Sequence, residues 1–283
     1  MSNKMDIQHF ILTRFNIFLW QKDKEGRKVR TMEWLEHRFS LFERYCLPSV
    51  ANQTCKDFEW IVLFDCKTPE QYKNKIIEYQ QNCPQLVPIY VEPENGRLFA
   101  QIFRNEVVKR LEGKRVLTTY LDNDDALDIR FVEDLQNGSE RLENDTFIYY
   151  IDGYQFYTDS KYLMWIHYPR NHFVSVVENG DPLFVKTIYG FGSHYYIDKI
   201  KDAKIEYVKD QPMWCEVIHE KNMGNDAYFL DARMMRDCEC LRRDFGVDET
   251  VRYGIGLYLW RFLPRYARTF GRRTKYYFFG RKW

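Results

Sequence analysis

The sequence lacks any apolar run long enough to cross a membrane, and its first residues, MSNKMDIQHF, lack the apolar core of a signal peptide. Its seven cysteines are an odd number and show no C-x-x-C spacing. No segment is repetitive or of low complexity. These absences argue against a membrane-spanning, secreted or disulfide-built protein, and we expect a cytoplasmic chain with reduced thiols.

Acidic residues are missing from one region, although the net charge of the chain is only +1. Between Val251 and Trp283 there is no Asp or Glu, and Arg and Lys alternate with aromatic residues. Such a segment suits the surface of an anionic membrane. A helix that packs its aromatic rings on the core and leaves its arginines in solvent is the alternative. We predict a helical segment over 231–283 with peripheral membrane binding. Nothing else in the sequence favours nucleic acid as a partner.

Strand and helix patterns alternate in the first half of the chain. Apolar runs rich in β-branched and aromatic residues predict strands over 9–15, 58–64, 86–91 and 116–121. Apolar side chains spaced by three and four predict helices over 32–46, 70–81 and 97–111, and Pro48 is expected to end the first. This order predicts an α/β fold with a doubly wound, mainly parallel sheet flanked by helices.

The second half of the chain has shorter and less regular patterns. They predict helical turns over 129–136 and 172–177 and strands over 147–151, 154–157, 184–189, 205–208 and 213–218. Asp152 and Gly153 are expected to form a hairpin turn between two of these strands. No linker divides the region, so we predict one globular domain over residues 1–230.

Acidic residues follow directly on the strand predicted over 116–121. Asp122, Asn123, Asp124 and Asp125 stand together there. Carboxylates repel one another at this density, and a bound Mg²⁺ or Mn²⁺ would explain the cluster, since such hard cations take oxygen ligands. The carboxyl end of a strand is also where ligands bind in open α/β sheets. A solvated Asp/Asn turn is the alternative.

Several segments in a fixed order resemble GT-A glycosyltransferases of the inverting, family-2-like type. These segments are SVANQT at 49–54, EWIVLFD at 59–65, Arg104-Asn105 and LDNDD at 121–125. Three further segments are similar to a bacterial rhamnosyltransferase family: TRFN at 13–16, NHFVSVVE at 171–178 and WCEVIHEKN at 214–222. The resemblance covers about residues 9–225. It implies a Rossmann-like GT-A sheet with a nucleotide-binding half over about 1–128 and an acceptor half over about 129–230.

The resemblance also implies roles for individual residues. The residues implied to contact a nucleotide-sugar donor are Thr13, Arg14, Asn16, Asp65, Arg104, Asn105, Asp122 and Asn123. A solvated helix residue is the alternative for Arg104, and a turn residue is the alternative for Asp65. Asp122 and Asp124, in the D-x-D manner of the family, and the late His219 are the implied ligands of Mn²⁺ or Mg²⁺, with a structural histidine as the alternative for His219. Asp125 is expected to cap or orient the following turn.

An inverting transferase needs a base that takes the proton of the acceptor hydroxyl. Glu178 and Asp152 are the candidates, with a surface and a turn position as their alternatives, and His194 is either a core residue or faces the acceptor. The expected function is transfer of a sugar, with rhamnose implied by the family, to a saccharide or lipid-linked acceptor in bacterial surface polysaccharide synthesis. A nucleotide-sugar hydrolase and a non-catalytic membrane- or nucleic-acid-binding protein are the other two hypotheses.

Overall fold

The computed structural model describes residues 7–19, 26, 31–209, 211–219, 232–237, 239–254, 256 and 259. Most of the basic, aromatic segment predicted over 231–283 therefore lies outside the described residues. Within the part of the chain that is described, no helix is both long and apolar enough to span a bilayer.

In the described part of the chain, twelve strands form two sheets. They are β1 (Ile7–Arg14), β2 (Glu59–Asp65), β3 (Leu86–Val91), β4 (Arg115–Tyr120), β5 (Ala126–Leu127), β6 (Thr146–Tyr150), β7 (Asp152–Tyr157), β8 (Tyr162–His167), β9 (Val174–Glu178), β10 (Lys204–Val208), β11 (Trp214–Ile218) and β12 (Arg233–Met234). The larger sheet has the order β10-β6-β9-β4-β1-β2-β3, and in it only β9 runs antiparallel to its neighbours. The predicted α/β class with a mainly parallel sheet is confirmed.

Helices lie on both faces of the larger sheet. They are α1 (Met32–Leu41), α2 (Leu47–Ala51), α3 (Glu70–Asn82), α4 (Phe99–Val108) and α5 (Phe131–Ser139). A later helix, α6 (Cys240–Phe245), packs instead with residues of the smaller sheet. Alternate residues of each strand point to opposite faces. Ile11 and Leu117 therefore pack with the first cluster of core residues, which includes Phe39 of α1, whereas Phe10 packs with Phe103 of α4 in a second cluster.

The sequence predicted that the first helix ends at Pro48, but the structure shows that it continues past this residue. A π-helical turn over Phe42–Cys46 follows α1, and the chain continues as α2, in which Pro48 lies in the first turn. Proline is tolerated in the first turn of a helix because an N–H there makes no bond within the helix. The wider π-turn before Pro48 also relieves the clash between its ring and the carbonyl of the preceding turn. The segment from 32 to 51 is thus one nearly continuous helical rod.

The smaller sheet has the order β12-β8-β7-β11-β5, and it corrects the predicted hairpin. Asp152 and Gly153 belong to β7, which pairs with β8 and β11, whereas β6 belongs to the larger sheet. The chain therefore changes sheets at Ile151. Gly153 is required because the strand passes directly over an indole, and a Cβ at this position would lie 2.2 Å from the ring of Trp214.

Two shorter predictions in this half are wrong. The segment predicted as a helical turn over 172–177 forms β9, whose β-branched residues fill the gap between β4 and β6. The strand predicted over 184–189 is instead a turn followed by a 3₁₀ helix at Ile188–Phe191. The strands predicted over 205–208 and 213–218 correspond to β10 and β11.

A buried histidine joins the middle strands of the larger sheet. The Nε2 atom of His9 lies 2.8 Å from Oγ1 of Thr119, which lies 2.8 Å from Oγ of Ser175, so the chain of polar contacts crosses β1, β4 and β9. Burial lowers the pKa of His9 to about 3. The imidazole is therefore neutral in the folded protein at all moderately acidic pH values.

We expect His9 to make folding sensitive to acid. Below a pH of about 6.5 the unfolded chain binds a proton at His9 that the folded chain does not, so the free energy of unfolding falls by about 2 kcal/mol at this residue between pH 7 and pH 5. Urea unfolding at both pH values measures this loss. His9→Gln keeps a polar side chain next to Thr119 but has no such proton, so the loss for this variant should be smaller by that amount. An equal loss in both proteins would contradict the prediction.

Candidate functional site

The acidic cluster lies at the carboxyl end of β4, and Asn123 fixes its backbone. The Nδ2 atom of Asn123 donates to the carbonyl oxygens of Arg14 and Phe15 at 2.9 and 2.8 Å, and its Oδ1 accepts a hydrogen bond from Nη1 of Arg38 at 3.1 Å. Asn123 thus joins the end of β1, the end of β4 and helix α1. Its side chain is used entirely within the protein.

Asp124 is held by two basic side chains. Its Oδ2 accepts hydrogen bonds from Nη1 of Arg38 at 2.8 Å and from Nε2 of His219 at 3.0 Å. Burial alone would raise the pKa of Asp124, but Arg38 and then His219 outweigh this effect and lower it well below the usual range. The structure therefore brings Asp124 and His219 together, as the sequence had predicted, with an arginine that the sequence analysis missed.

Asp125 does not cap the following turn. Its Oδ1 accepts the backbone N–H of Val217 in β11 at 2.9 Å, and its Oδ2 lies 2.7 Å from Nε2 of His172. Burial raises the pKa of Asp125, and despite its own burial His172 has a raised pKa because Asp125 stands next to it. Asp125 and His172 thus form a close buried pair between the end of β4 and the start of β9.

Asp122 faces Arg14 at the end of β1. The hydroxyl of Tyr120 accepts a hydrogen bond from Nη2 of Arg14 at 2.6 Å and donates to Oδ1 of Asp122 at 2.9 Å. The same Nη2 lies 3.6 Å from Oδ1 of Asp122. The guanidinium carbon is 4.9 to 5.5 Å from the ring centres of Phe99, Tyr120 and Tyr189. This aromatic surround fixes a permanent positive charge beside the acidic cluster.

Three side chains of the site could hold a metal ion together. Asp122, Asp125 and His172 each offer one ligand atom, and these atoms lie within 4.8 Å of one another. Among the described residues, these three are the Asp, Glu, His or Cys side chains whose ligand atoms come this close in a group of three or more. Asp124 and His219, two members of the predicted ligand set, are not part of it.

A carboxylate of the smaller sheet also faces the cluster. Glu216 in β11 is buried and accepts a hydrogen bond from Nε2 of Gln155 in β7 at 2.5 Å. Burial raises its pKa, and the nearby charges that act on it include those of His172, Asp124 and Asp122. Glu216 stands between Cys215 and Val217, two core residues, and this alternation was the sequence signal for a side chain on the opposite face.

Asn16 and Asp65 meet at the carboxyl ends of β1 and β2. The Oδ1 atom of Asn16 accepts the backbone N–H of Asp65 at 2.9 Å, and its Nδ2 donates to Oγ1 of Thr68 at 3.0 Å. These two predicted donor-binding residues therefore lie at the same sheet edge as the acidic cluster. Thr13 does not face that edge, because it is buried and accepts a hydrogen bond from Nε1 of Trp60 at 2.9 Å.

Arg104 and Asn105, two of the predicted donor-binding residues, lie on α4. Arg104 donates from Nε to the carbonyl of Val185 at 2.8 Å and from Nη2 to the carbonyl of Pro182 at 2.7 Å, and it thereby anchors the loop after β9. Asn105 is exposed on the side of α4 opposite Phe103, which faces the sheet.

Glu178, the first candidate for the base, lies in β9 opposite the start of β4. It lies opposite Val116 at the amino end of β4, six residues and roughly 20 Å along the strand from Asp122. Both carboxylate oxygens accept backbone N–H groups, from Lys186 at 2.7 Å and from Thr187 at 2.9 Å. Glu178 therefore fixes the same loop that Arg104 anchors.

Asp152, the second candidate for the base, belongs to the smaller sheet. It lies at the amino end of β7, and its Oδ1 accepts hydrogen bonds from Nδ1 of His167 at 3.0 Å and Nε1 of Trp165 at 3.3 Å. Asp125 accepts the N–H of Val217, which pairs with Phe156, so Asp152 is four residues, or roughly 13 Å, along β7 from the level of that contact.

The sequence analysis missed Arg38, Tyr120, His172 and Glu216. His172 lies in the NHFVSVVE segment that had drawn attention to Glu178. His194, for which two readings had been given, lies with its ring centre 6.2 Å from that of Tyr120 and 5.9 Å from that of His172. Arg38 had no local signal, because 86 positions separate it from Asp124 in the sequence.

Solved structures that resemble the chain are remote in sequence. Residues 1–349 of TarS from S. aureus give a TM-score of 0.42 at 14% identity, covering 74% of this chain and 60% of that one. The same protein in complex with UDP gives 0.42 at 13% identity, with coverages of 75% and 60%. A "putative nucleotide-diphospho-sugar transferase" from Desulfovibrio desulfuricans G20 gives 0.35 at 8% identity, with coverages of 74% and 82%. The chain thus spans three fifths of the TarS fragment.

No curated protein matches the chain. The model of the protein family described as "Putative rhamnosyl transferase" matches residues 11–229, which is most of the sequence and includes every residue of the site described above. The chain belongs to this family, and the prediction that it is a glycosyltransferase is confirmed.

Proposed function

We propose that the chain has the GT-A fold and transfers a sugar from a nucleotide-diphosphate donor, with inversion, to a saccharide or lipid-linked acceptor of a bacterial surface polysaccharide. Rhamnose is the sugar that the family description favours. The observation that carries the proposal is the pairing of a permanent cation with an acidic cluster at one sheet edge, where Arg14 lies 3.6 Å from Asp122. An edge of this kind suits a diphosphate.

A divalent cation, Mn²⁺ or Mg²⁺, is part of the proposal. The donor set fits such an ion, because carboxylate oxygens and an imidazole nitrogen of Asp122, Asp125 and His172 converge within 4.8 Å. When bound, the ion would stabilise the negative charge of the departing nucleoside diphosphate.

Arg14 is the side chain that we propose for the diphosphate. A guanidinium is planar and always charged, and it can donate two parallel hydrogen bonds to phosphate oxygens. Its Nε is buried and donates no hydrogen bond in the described part of the chain, so this N–H is available to donate to a ligand. Asn16 and Asp65, at the ends of β1 and β2, are proposed to lie on the nucleoside side of the donor.

The membrane surface is proposed as a further partner, because an enzyme that acts on a lipid-linked acceptor must meet it there. The basic, aromatic sequence from Val251 to Trp283 is the support for this part. Most of that segment lies outside the described residues, so it stays a prediction.

We expect the chain to bind one nucleoside diphosphate from a panel of UDP, dTDP, GDP and ADP more tightly with Mn²⁺ than without it. Arg14→Lys should weaken that binding about 10- to 100-fold, since it keeps the charge but loses the planar pair of donors. Calorimetric titration measures both Kd values. Asn105→Ala is the matched control, because this residue is exposed away from the site, and its Kd should equal that of the wild type. Absence of binding by every nucleotide, with or without Mn²⁺, would refute the proposed function.

We expect Glu178→Gln to lower the stability of the protein without changing its affinity for the nucleotide. The amide puts an NH₂ group where the carboxylate accepts two backbone N–H groups, so we expect the free energy of unfolding to fall by about 1–3 kcal/mol. Nucleotide affinity should stay at the wild-type value, since the residue lies at the opposite end of β4. Urea unfolding and the calorimetric titration above check the two statements. Weaker nucleotide binding with unchanged stability would contradict this assignment.

A further inference from the structure

We propose that Tyr195, with His194 beside it, forms the binding surface for a sugar ring of the acceptor. This inference rests on the proposed function, because it places the second substrate of that reaction. The ligand class is a neutral saccharide, which the ring of Tyr195 contacts by packing and the imidazole of His194 by hydrogen bonding.

A row of three rings leads from the acidic cluster to the surface of the protein. The ring of His172, whose Nε2 lies 2.7 Å from Oδ2 of Asp125, has its centre 5.9 Å from that of His194. The ring centre of His194 lies in turn 4.0 Å from that of Tyr195, which is 50% exposed. A ligand on Tyr195 therefore lies only two ring contacts away from the acidic residues.

The strand order places this row on the side of the cluster away from the proposed nucleoside site. In the larger sheet β4 lies between β1 and β9, and the proposed nucleoside contacts are at the ends of β1 and β2. His172 instead precedes β9, and the hydroxyl of Tyr149 in β6 donates to the carbonyl of His194 at 3.4 Å. The nucleoside and a ligand on Tyr195 would thus lie on opposite sides of the acidic residues, as the two substrates of a transfer reaction must.

The segment that carries His194 and Tyr195 is anchored on both sides. Before it, Phe191 packs edge-on against Phe147 with ring centres 4.9 Å apart. After it, Ile197 is buried in the second core cluster. An exposed aromatic ring on a fixed backbone loses little conformational entropy when a ligand packs on it, so Tyr195 is suited to binding.

The chemistry of the two side chains suits a sugar ring. A pyranose has faces made of C–H groups, which pack on aromatic rings, and hydroxyl groups around its edge, which need hydrogen-bond partners. Tyr195 offers the aromatic ring. Among the described residues the ring nitrogens of His194 have no hydrogen-bond partner, so they can bond to the hydroxyl groups of a ligand.

Tyr196 is a weaker candidate for the same contact. It is 58% exposed, but Nζ of Lys199 lies 4.6 Å from its ring centre. A sugar on that face would have to displace the cation–π contact. We therefore assign the sugar to Tyr195, which His194 also joins to the acidic cluster.

The test uses the methyl glycosides of L-rhamnose, D-glucose, D-galactose and N-acetyl-D-glucosamine as probes of the full chain. Mn²⁺ and the four nucleoside diphosphates of the panel are present, so that the nucleotide site is occupied. Saturation-transfer NMR detects weak binding and shows which protons of the sugar touch the protein. We expect at least one glycoside to bind through the C–H groups of one face. Tyr195→Ala should raise its Kd at least about 5-fold, whereas Tyr195→Phe, which keeps the ring, should not.

Tyr90→Ala is the matched control, because Tyr90 is 42% exposed and lies in β3 at the far edge of the larger sheet. Its affinity for the glycoside should equal that of the wild type. The octyl glycosides of the same sugars distinguish two sources of the sugar. They should bind more tightly than the methyl glycosides if the acceptor is lipid-linked, and equally if it is a soluble saccharide.

Three results would overturn the inference: no glycoside binds the wild type, Tyr195→Ala binds as well as the wild type, or Tyr196→Ala loses more affinity than Tyr195→Ala. None of them would refute the proposed function, because nucleotide binding is titrated separately and without glycosides.

Discussion

Buried negative charge at the end of β4 is the constraint on which the rest of the structure depends. Three carboxylates within four residues are stable in a folded core only if each finds partners, since an unpaired buried charge is very costly. The partners come from distant segments: Arg14 from the end of β1, Arg38 from α1, His172 from the segment before β9, and Val217 and His219 from β11 and its end. The arrangement of these elements around β4 is therefore also the arrangement that compensates the charge.

The same constraint joins the two sheets. Asp125 follows the larger sheet and accepts the N–H of Val217 in the smaller one, and β5, directly after it, pairs with β11. Glu216 of the smaller sheet then faces the cluster from the other side. The acidic residues therefore lie where the two sheets meet.

The strands and the acidic cluster could be predicted from the sequence because both are local signals. Apolar runs indicate buried strands, and three aspartates directly after one of them mark the end of that strand as a candidate site. The roles of Glu178 and Arg104 could not be predicted, because a family-like segment does not tell which end of a strand its last residue occupies. β9 runs antiparallel to β4, so Glu178 ends up at the far edge. Arg38 is far in sequence from Asn123 and Asp124, and the packing of α1 brings it to them.

The change of sheets at Ile151 has a mechanical consequence. Only this residue separates the end of β6 from the start of β7, and its N–H and carbonyl are both bonded, to Val208 and Tyr168 respectively. A joint of one hydrogen-bonded residue has no slack, so the smaller sheet cannot swing away from the larger one as a hinged door does. We therefore expect the two sheets to keep their relative positions, and substrates to reach the acidic edge through movements of the loops around it.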